Sequence, residues 1–329
     1  MDCTSLSTGS QFHNSLMNHA FFQRAYPEYN YRVPVISRAD GSVNFGDHTL
    51  SFVPTSTSVD WFTSLDGSLS AQHAIVAGAK HLNLAQQALT SLLIEGFESG
   101  ALIDSRVTPR TSRWLNAKNR DREHTDLACA QKNIINFKAP FSIKDAAEII
   151  DRRNTTQIEL VGQGQLAESI YQLGIASGFE FTDQRTCASV VIFVSNTHPD
   201  VFEHANSHLC SLPHLHVGTR LDSARIGPLV IPGESSCFRC AHLHRRDFSA
   251  DWMEVDLQWR RHSNSGQSDS ILSYQTAAYT LLLLRHWIDG IAITNMSWEA
   301  SLPWLHFRSQ PAQPHPLCGC LLHTFNFTG

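Results

Sequence analysis

Four cysteines in two tight pairs constrain this chain most: Cys237-Phe238-Arg239-Cys240, and Cys318-Gly319-Cys320 close to its end. Two thiolates on one tight turn can grip a tetrahedral cation, and a second pair completes its shell. Any fold that unites the pairs ties the long stretch between Cys240 and Cys318 back onto itself. Both pairs sit in turn-forming sequence, with Pro232-Gly233 ahead of the first and Gly319 inside the second. Four protein ligands leave no open coordination position, so the expected metal is a structural zinc. Free or disulfide-bonded thiols are the alternative reading. Residues 1–23 show no cationic flank followed by an apolar run, so no secretory signal is expected, and reduced cytoplasmic thiols favour metal. Cys3, Cys129, Cys187 and Cys210 each stand alone and read as small hydrophobes, with only His208 near Cys210 in sequence.

A second motif sets a local fold. Residues 157–161 read as a strand running straight into Gly162-Gln163-Gly164-Gln165-Leu166-Ala167. This fits the G-x-G-x-x-G/A turn, whose helix-start amides can face a pyrophosphate. Asp183, about twenty positions beyond Gly162, stands where such folds place a ribose-binding acid. The surroundings argue the other way. No Arg or Lys lies between Val161 and Phe181, and Glu168 puts a carboxylate in the first helical turn. Gly162, Gly164 and Asp183 therefore form either a nucleotide site or, as the missing cations favour, a vestigial one whose glycines serve close packing. A helix over 165–177, a Gly178 stop and strands over 179–182 and 189–195 follow. That alternation implies a parallel sheet, with further strands at 215–217 and 229–231. Residues 269–289, stopped by Gly290, read as a long buried helix.

The amino-terminal part has a different rhythm. Residues 1–28 are polar and read as a flexible lead-in. A strand is expected over 31–36, then a hairpin of 42–46 and 49–53 around Gly46-Asp47. Ser58, Ser70 and Asn83 stand where N-caps are wanted, each ahead of a helical stretch. The third helix keeps Leu84, Ala88, Leu89, Leu92, Leu93 and Phe97 on one face until Gly100 ends it. Residues 101–104 look like a closing strand. Three strands, three helices and a wing make a winged-helix pattern over 29–105. Residues 106–155 read as a connecting region, with helices near 120–130 and 142–152, and 156–329 as the α/β domain.

Composition narrows the functions. With 25 Lys+Arg against 30 Asp+Glu, the net charge of −5 lacks the basic surface that phosphate backbones require, which excludes a nucleic-acid partner. The most apolar run, 277–284, meets Arg285, His286 and Asp289 well before the ~20 residues of a membrane span, so no membrane partner is expected. His198, His204, His214, His216, His242 and His244 crowd together in number without the i, i+4 metal signature, and read as packing or surface residues. No hydrolase elbow, Walker loop or kinase set is present.

Beyond the cysteines, a longer pattern is visible. Ile226-Gly227-Pro228-Leu229-Val230-Ile231-Pro232-Gly233, Cys237-Phe238-Arg239-Cys240 and Leu243-His244-Arg245-Arg246-Asp247 resemble the signature of ThiF-like proteins from azole-forming peptide clusters. His315-Pro316-Leu317-Cys318-Gly319-Cys320 is similar to the same proteins' carboxy-terminal motif. The resemblance is to the ocin-ThiF type, leader-peptide-binding partners of YcaO cyclodehydratases in thiopeptide and linear azole biosynthesis. It covers 157–320 closely and 31–104 only in the winged-helix pattern.

The resemblance implies a winged-helix recognition domain followed by a ThiF-like Rossmann-type domain with a structural zinc on Cys237, Cys240, Cys318 and Cys320. It implies a cytoplasmic, non-catalytic subunit that presents a ribosomal precursor peptide to a YcaO-type cyclodehydratase in a heteromer, with a homodimer as a further expected assembly. Adenylating relatives use an arginine–lysine set around the nucleotide, and that set has no counterpart here, so ATP binding by this chain is not expected. The leader would add as a strand along Thr49, Leu50, Ser51, Phe52 and Val53, with its apolar side chains against Leu89, Leu93 and Phe97. Ordinary core packing is the competing reading for those three. The rival functions are a ThiF-type adenylating enzyme and a nicotinamide-dependent oxidoreductase on the same glycine turn.

Overall fold

The structure, a computed structural model, describes residues 24–50, 54–111, 117–136, 145–195, 211–261, 268–303 and 306–321. It divides into two compact units, Met1–Asp151 and Arg152–Gly329. Among the described residues, no helix is long and apolar enough to cross a membrane.

In the first unit β1 (Pro27–Tyr29) precedes a meander of β2 (Val35–Ser37), β3 (Val43–Phe45) and β4 (His48–Thr49). Three helices follow: α1 (Ser56–Thr63), α2 (Ala71–Leu82) and α3 (Gln86–Ser99). β5 (Leu102–Asp104) closes back onto β1, with Glu28 opposite Ile103. Part of the expected lead-in thus belongs to the fold, and Ala25 is buried with it. The core gathers Phe45, Phe62, Leu92, Leu93, Phe97 and Leu102, with Phe45 stacked on Phe62 at 4.4 Å.

The helix starts differ from two of the three expected. Ser70 caps α2 as read, accepting from His73 N. For α1 the cap is Thr55, whose Oγ1 accepts from Ser58 N at 3.2 Å, while Ser58 sits inside the helix. Asn83 takes the left-handed conformation (φ 54°) that ends α2, and α3 starts at Ala85 without a side-chain cap. Asparagine serves either end of a helix, and only the backbone decides which. The expected strand 31–36 shrinks to its end, because Val33 N turns back to Asn30 O.

The stretch expected as a connection carries α4 (Ala117–Asn136) and α5 (Ala146–Thr155). It is packed in its own right. Leu127, Ala130, Ala146, Ile149 and Ile150 form a small core, and Asp151 accepts from the backbone of Arg110 and Thr111. Gln131 Oε1 accepts from Asp104 N, binding α4 to β5.

The second unit opens with β6 (Gln157–Val161), α6 (Gln165–Ala176), β7 (Glu180–Phe181) and β8 (Val190–Ser195). Then come β9 (His214–Arg220), β10 (Ser223–Val230), α7 (Phe238–Phe248), α8 (Trp252–Arg261), α9 (Ser270–Ile288), β11 (Met296–Ser301) and β12 (Arg308–Pro311). The strands make one seven-stranded sheet in the order β12-β11-β10-β9-β8-β6-β7. Pairing is parallel from β7 to β9 and antiparallel from β9 to β12. Only half of the sheet is therefore the expected parallel one. Two residues, Leu221 and Asp222, join β9 to β10, and so short a link permits only an antiparallel partner.

β8 shows why its sequence is apolar throughout. Val190, Ile192 and Val194 point into the core beneath α6 and α9, while Val191 and Phe193 fill the opposite face. A strand covered on both faces loses the usual alternation. α9 lies where the sequence reading placed a long helix, and it is capped by Asp269, whose carboxylate accepts from Leu272 N at 2.9 Å.

Candidate functional site

The two cysteine pairs meet. Cys237 is the N-cap of α7 and Cys240 lies in its first turn, with Cys240 N bonded to Cys237 O. The second pair is brought in by a turn in which Cys318 N donates to His315 O, and Gly319 (φ 71°) reverses the chain between Cys318 and Cys320. Sulfur separations are 3.9 Å for Cys237–Cys240, 3.3 Å for Cys237–Cys318 and 3.4 Å for Cys240–Cys320. All four sulfurs lie within 4.8 Å of one another. A tetrahedron with metal–sulfur bonds of 2.3 Å has edges of about 3.8 Å, so the set fits one soft divalent ion.

Electrostatics favour thiolate at this place. Hydrogen bonding from Cys237, together with backbone donors, pulls the Cys240 thiol down to about 4. The same shared proton, with burial, pushes Cys237 up, and burial first of all raises Cys320 to about 12. Cys240 lies in the first turn of α7, whose positive end favours a thiolate there. A cation in the centre would favour the thiolate form of its ligands.

An outer layer holds the ligand turns. His315 Nδ1 accepts from Leu317 N, so its Nε2–H donates to Asp247 Oδ2 at 2.7 Å. This bond is the first cause holding the Asp247 carboxyl below its usual range. Asp247 lies on α7 and His315 just ahead of Cys318, so the contact joins the two arms of the cluster. Ahead of Cys237, Ser236 N donates to Asn295 Oδ1, and Ser235 Oγ accepts from Ile231 N. The spacing of Leu243-His244-Arg245-Arg246-Asp247 and His315 carried this signal, though nothing local paired them.

The glycine turn has the strand-to-helix form expected. A Cβ on Gly162 (φ 142°) would lie 2.4 Å from Val194 O, so β6 and β8 require glycine there. Gly164 (φ 95°) is the N-cap of α6, and Asp183 is exposed beyond β7. Arg185, the cation that follows in sequence, is spent on Glu159 of β6 in an ion pair. Of the histidines, His214 and His216 are buried on one face of β9, where His216 stacks with Phe193 and Phe238.

In the first unit the expected peptide-binding residues part company. Thr49 is exposed on β4, which ends the order β2-β3-β4. Leu50 is buried, and its N–H is already given to Val43 O. Ser51, Phe52 and Val53 lie outside the described residues. Leu89, Leu93 and Phe97 are buried inside the unit, so in this structure they fill the core rather than line an open groove. The α3 face turned toward β4 is instead that of Glu95, whose Oε2 lies 3.5 Å from His48 Nε2. Burial of these three agrees with the core-packing reading of the apolar stripe.

The second unit is an α/β fold: a partly parallel sheet with a glycine turn after β6 and a cysteine cluster beyond β10. No family model and no curated protein sequence matches the chain. Among solved structures, the chain is similar to the microcin C7 biosynthetic enzyme MccB in complex with N-formylated MccA, at 11% identity and a TM-score of 0.59, covering 90% of this chain and 99% of that one. It is similar to E. coli MccB with ATP at 11% identity and a TM-score of 0.57, covering 89% and 99%. The heterocyclase TruD matches at 13% identity and a TM-score of 0.56, over 90% of this chain and 43% of TruD. Likeness at this identity establishes the fold.

Proposed function

We propose that the chain is a peptide-recruiting subunit: its first unit, a winged-helix element over 29–105, holds the leader of a ribosomal precursor peptide for modification by a partner enzyme. The single observation that carries this reading is the extent of the fold match. It runs over 90% of this chain and 99% of MccB, a protein seen with N-formylated MccA, and so takes in the first unit as well as the second. The exposed edge at Thr49 supports the same reading. Register places Leu50 opposite Val43 and His48 opposite Phe45 as bonded pairs, so the N–H and C=O of Thr49 point away from β3. An extended peptide can add there, main chain to main chain, beside the Ser91–Glu95 side of α3.

The partner in this proposal is a YcaO-type cyclodehydratase forming azolines, with the ThiF-like unit as its docking part and a homodimer as a further assembly. The metal is zinc on Cys237, Cys240, Cys318 and Cys320, structural because its shell is complete. Gly162, Gly164 and Asp183 are vestigial, their glycines kept for packing. A second reading, a ThiF-type adenylating enzyme, is favoured by the MccB structure with ATP. Titration with leader peptide and with ATP–Mg separates the two: leader affinity without nucleotide supports recruitment, and ATP–pyrophosphate exchange on a carboxylate supports adenylation.

A further inference from the structure

Two cavities of the second unit, about 400 and 420 Å³, share Arg225 and Arg245 in their walls. Arg225 stands on β10 directly opposite Glu299 of β11. Its side chain is only 19% exposed, and its Nε is fully buried without a hydrogen bond among the described residues. Glu299 Oε1 lies 3.5 Å from that Nε, and the other carboxylate oxygen of Glu299 accepts from Gln310. One shared carboxylate is thus what the site itself offers Arg225. Burial pushes this guanidinium down from its ordinary value, with Glu299 only partly offsetting the effect. A second buried polar atom, Ser236 Oγ, has no hydrogen bond among the described residues and lines the 420 Å³ cavity. Arg245 reaches the cavities from α7, its guanidinium stacked over Trp252 at 5.1 Å.

A guanidinium stays charged in a protein, and burying it with unmade hydrogen bonds is costly. One buried cation with an unmade bond and a second, half-buried one line both cavities, the first walled in part by Phe238 and Trp252 and the second by the Ser236 hydroxyl, and they suit a ligand that is anionic at one end and apolar along its body. We propose that Arg225 and Arg245 form an oxyanion site, taking a carboxylate or phosphate while Phe238 and Trp252 face the rest of the ligand. The site lies in the second unit, so it is independent of leader capture at Thr49.

The test is calorimetric titration of the full chain with N-acetylphenylalanine, its uncharged amide and inorganic phosphate. The acid or phosphate should bind, with the amide weaker than the acid by about tenfold or more. Whichever anion binds more tightly identifies the source of the oxyanion. Arg245→Gln, and the paired change Arg225→Met with Glu299→Gln, should each weaken the anion by about tenfold or more. Melting curves and metal content verify that these variants are folded. Failure of both anions to bind, equal affinity for acid and amide, or unchanged affinity in folded Arg245→Gln would overturn the proposal.

Discussion

Cys240 Sγ and Cys320 Sγ stand 3.4 Å apart, so the start of α7 and the end of the described chain are held at one point. Between them run α8, α9, β11 and β12, which makes the cluster the clasp of the antiparallel half of the sheet. Its buried sulfurs would gain little from packing alone, because close thiols offer each other only weak hydrogen bonds.

Cys240→Ser should therefore lose the metal and unfold the second unit at lower temperature. The expected fall in melting temperature is roughly 10 °C or more. Metal analysis of the wild type should give one zinc per chain, and a strong chelator should reproduce the shift. A variant that melts like the wild type with its metal retained contradicts the assignment.

Asp247→Asn keeps the shape but weakens the acceptor for His315 Nε2–H, loosening the turn that carries Cys318. By analogy with other outer-layer contacts, zinc affinity should drop about tenfold or more while the resting fold survives. Competition with a chromophoric chelator measures this, and an unchanged affinity would show that the pair does not position the ligands.

What the sequence made legible was mostly local. The cysteine spacing, the Gly162 turn and the long helix stopped by Gly290 depend on neighbours within a few residues, and each lies where the sequence places it. The pairings of β1 with β5 and of β10 with β11 and β12 join distant segments, and short polar strands such as Arg308–Pro311 carry no period of their own. Asn83 illustrates a chemical ambiguity, since its side chain suits both ends of a helix. Leu89, Leu93 and Phe97 illustrate a logical one: an apolar stripe identifies what a helix buries, and by itself does not distinguish core from ligand.

Arg153 and Asp289 make a two-pronged ion pair, Nε to Oδ1 at 2.7 Å and Nη2 to Oδ2 at 2.6 Å, with both side chains nearly buried. Asp289 caps the carboxy-terminal end of α9, where a bare carboxylate opposes the helix dipole. Arg153→Ala strands that charge and should cost about 3–5 kcal/mol in denaturant unfolding. Adding Asp289→Asn should recover part of the loss. A single variant within about 0.5 kcal/mol of wild type would refute the pair's role.

Gly162→Ala should destabilise the second unit by about 2–5 kcal/mol, since the added methyl meets Val194 O and the backbone is held at positive φ. The loss should appear without any nucleotide present. A stable variant would mean that the glycine is kept for a ligand and not for packing.

The most direct test of the account is calorimetric titration with the leader peptide encoded nearest the gene, with and without ATP–Mg, on wild type and Thr49→Pro. Proline at 49 removes an outward-facing donor and leaves the bond from Leu50 N to Val43 O in place, so the sheet itself is spared. The account predicts leader binding that needs no ATP and falls at least about tenfold in Thr49→Pro. ATP binding with no affinity for the leader would contradict it and restore the Gly162 turn as a working nucleotide site.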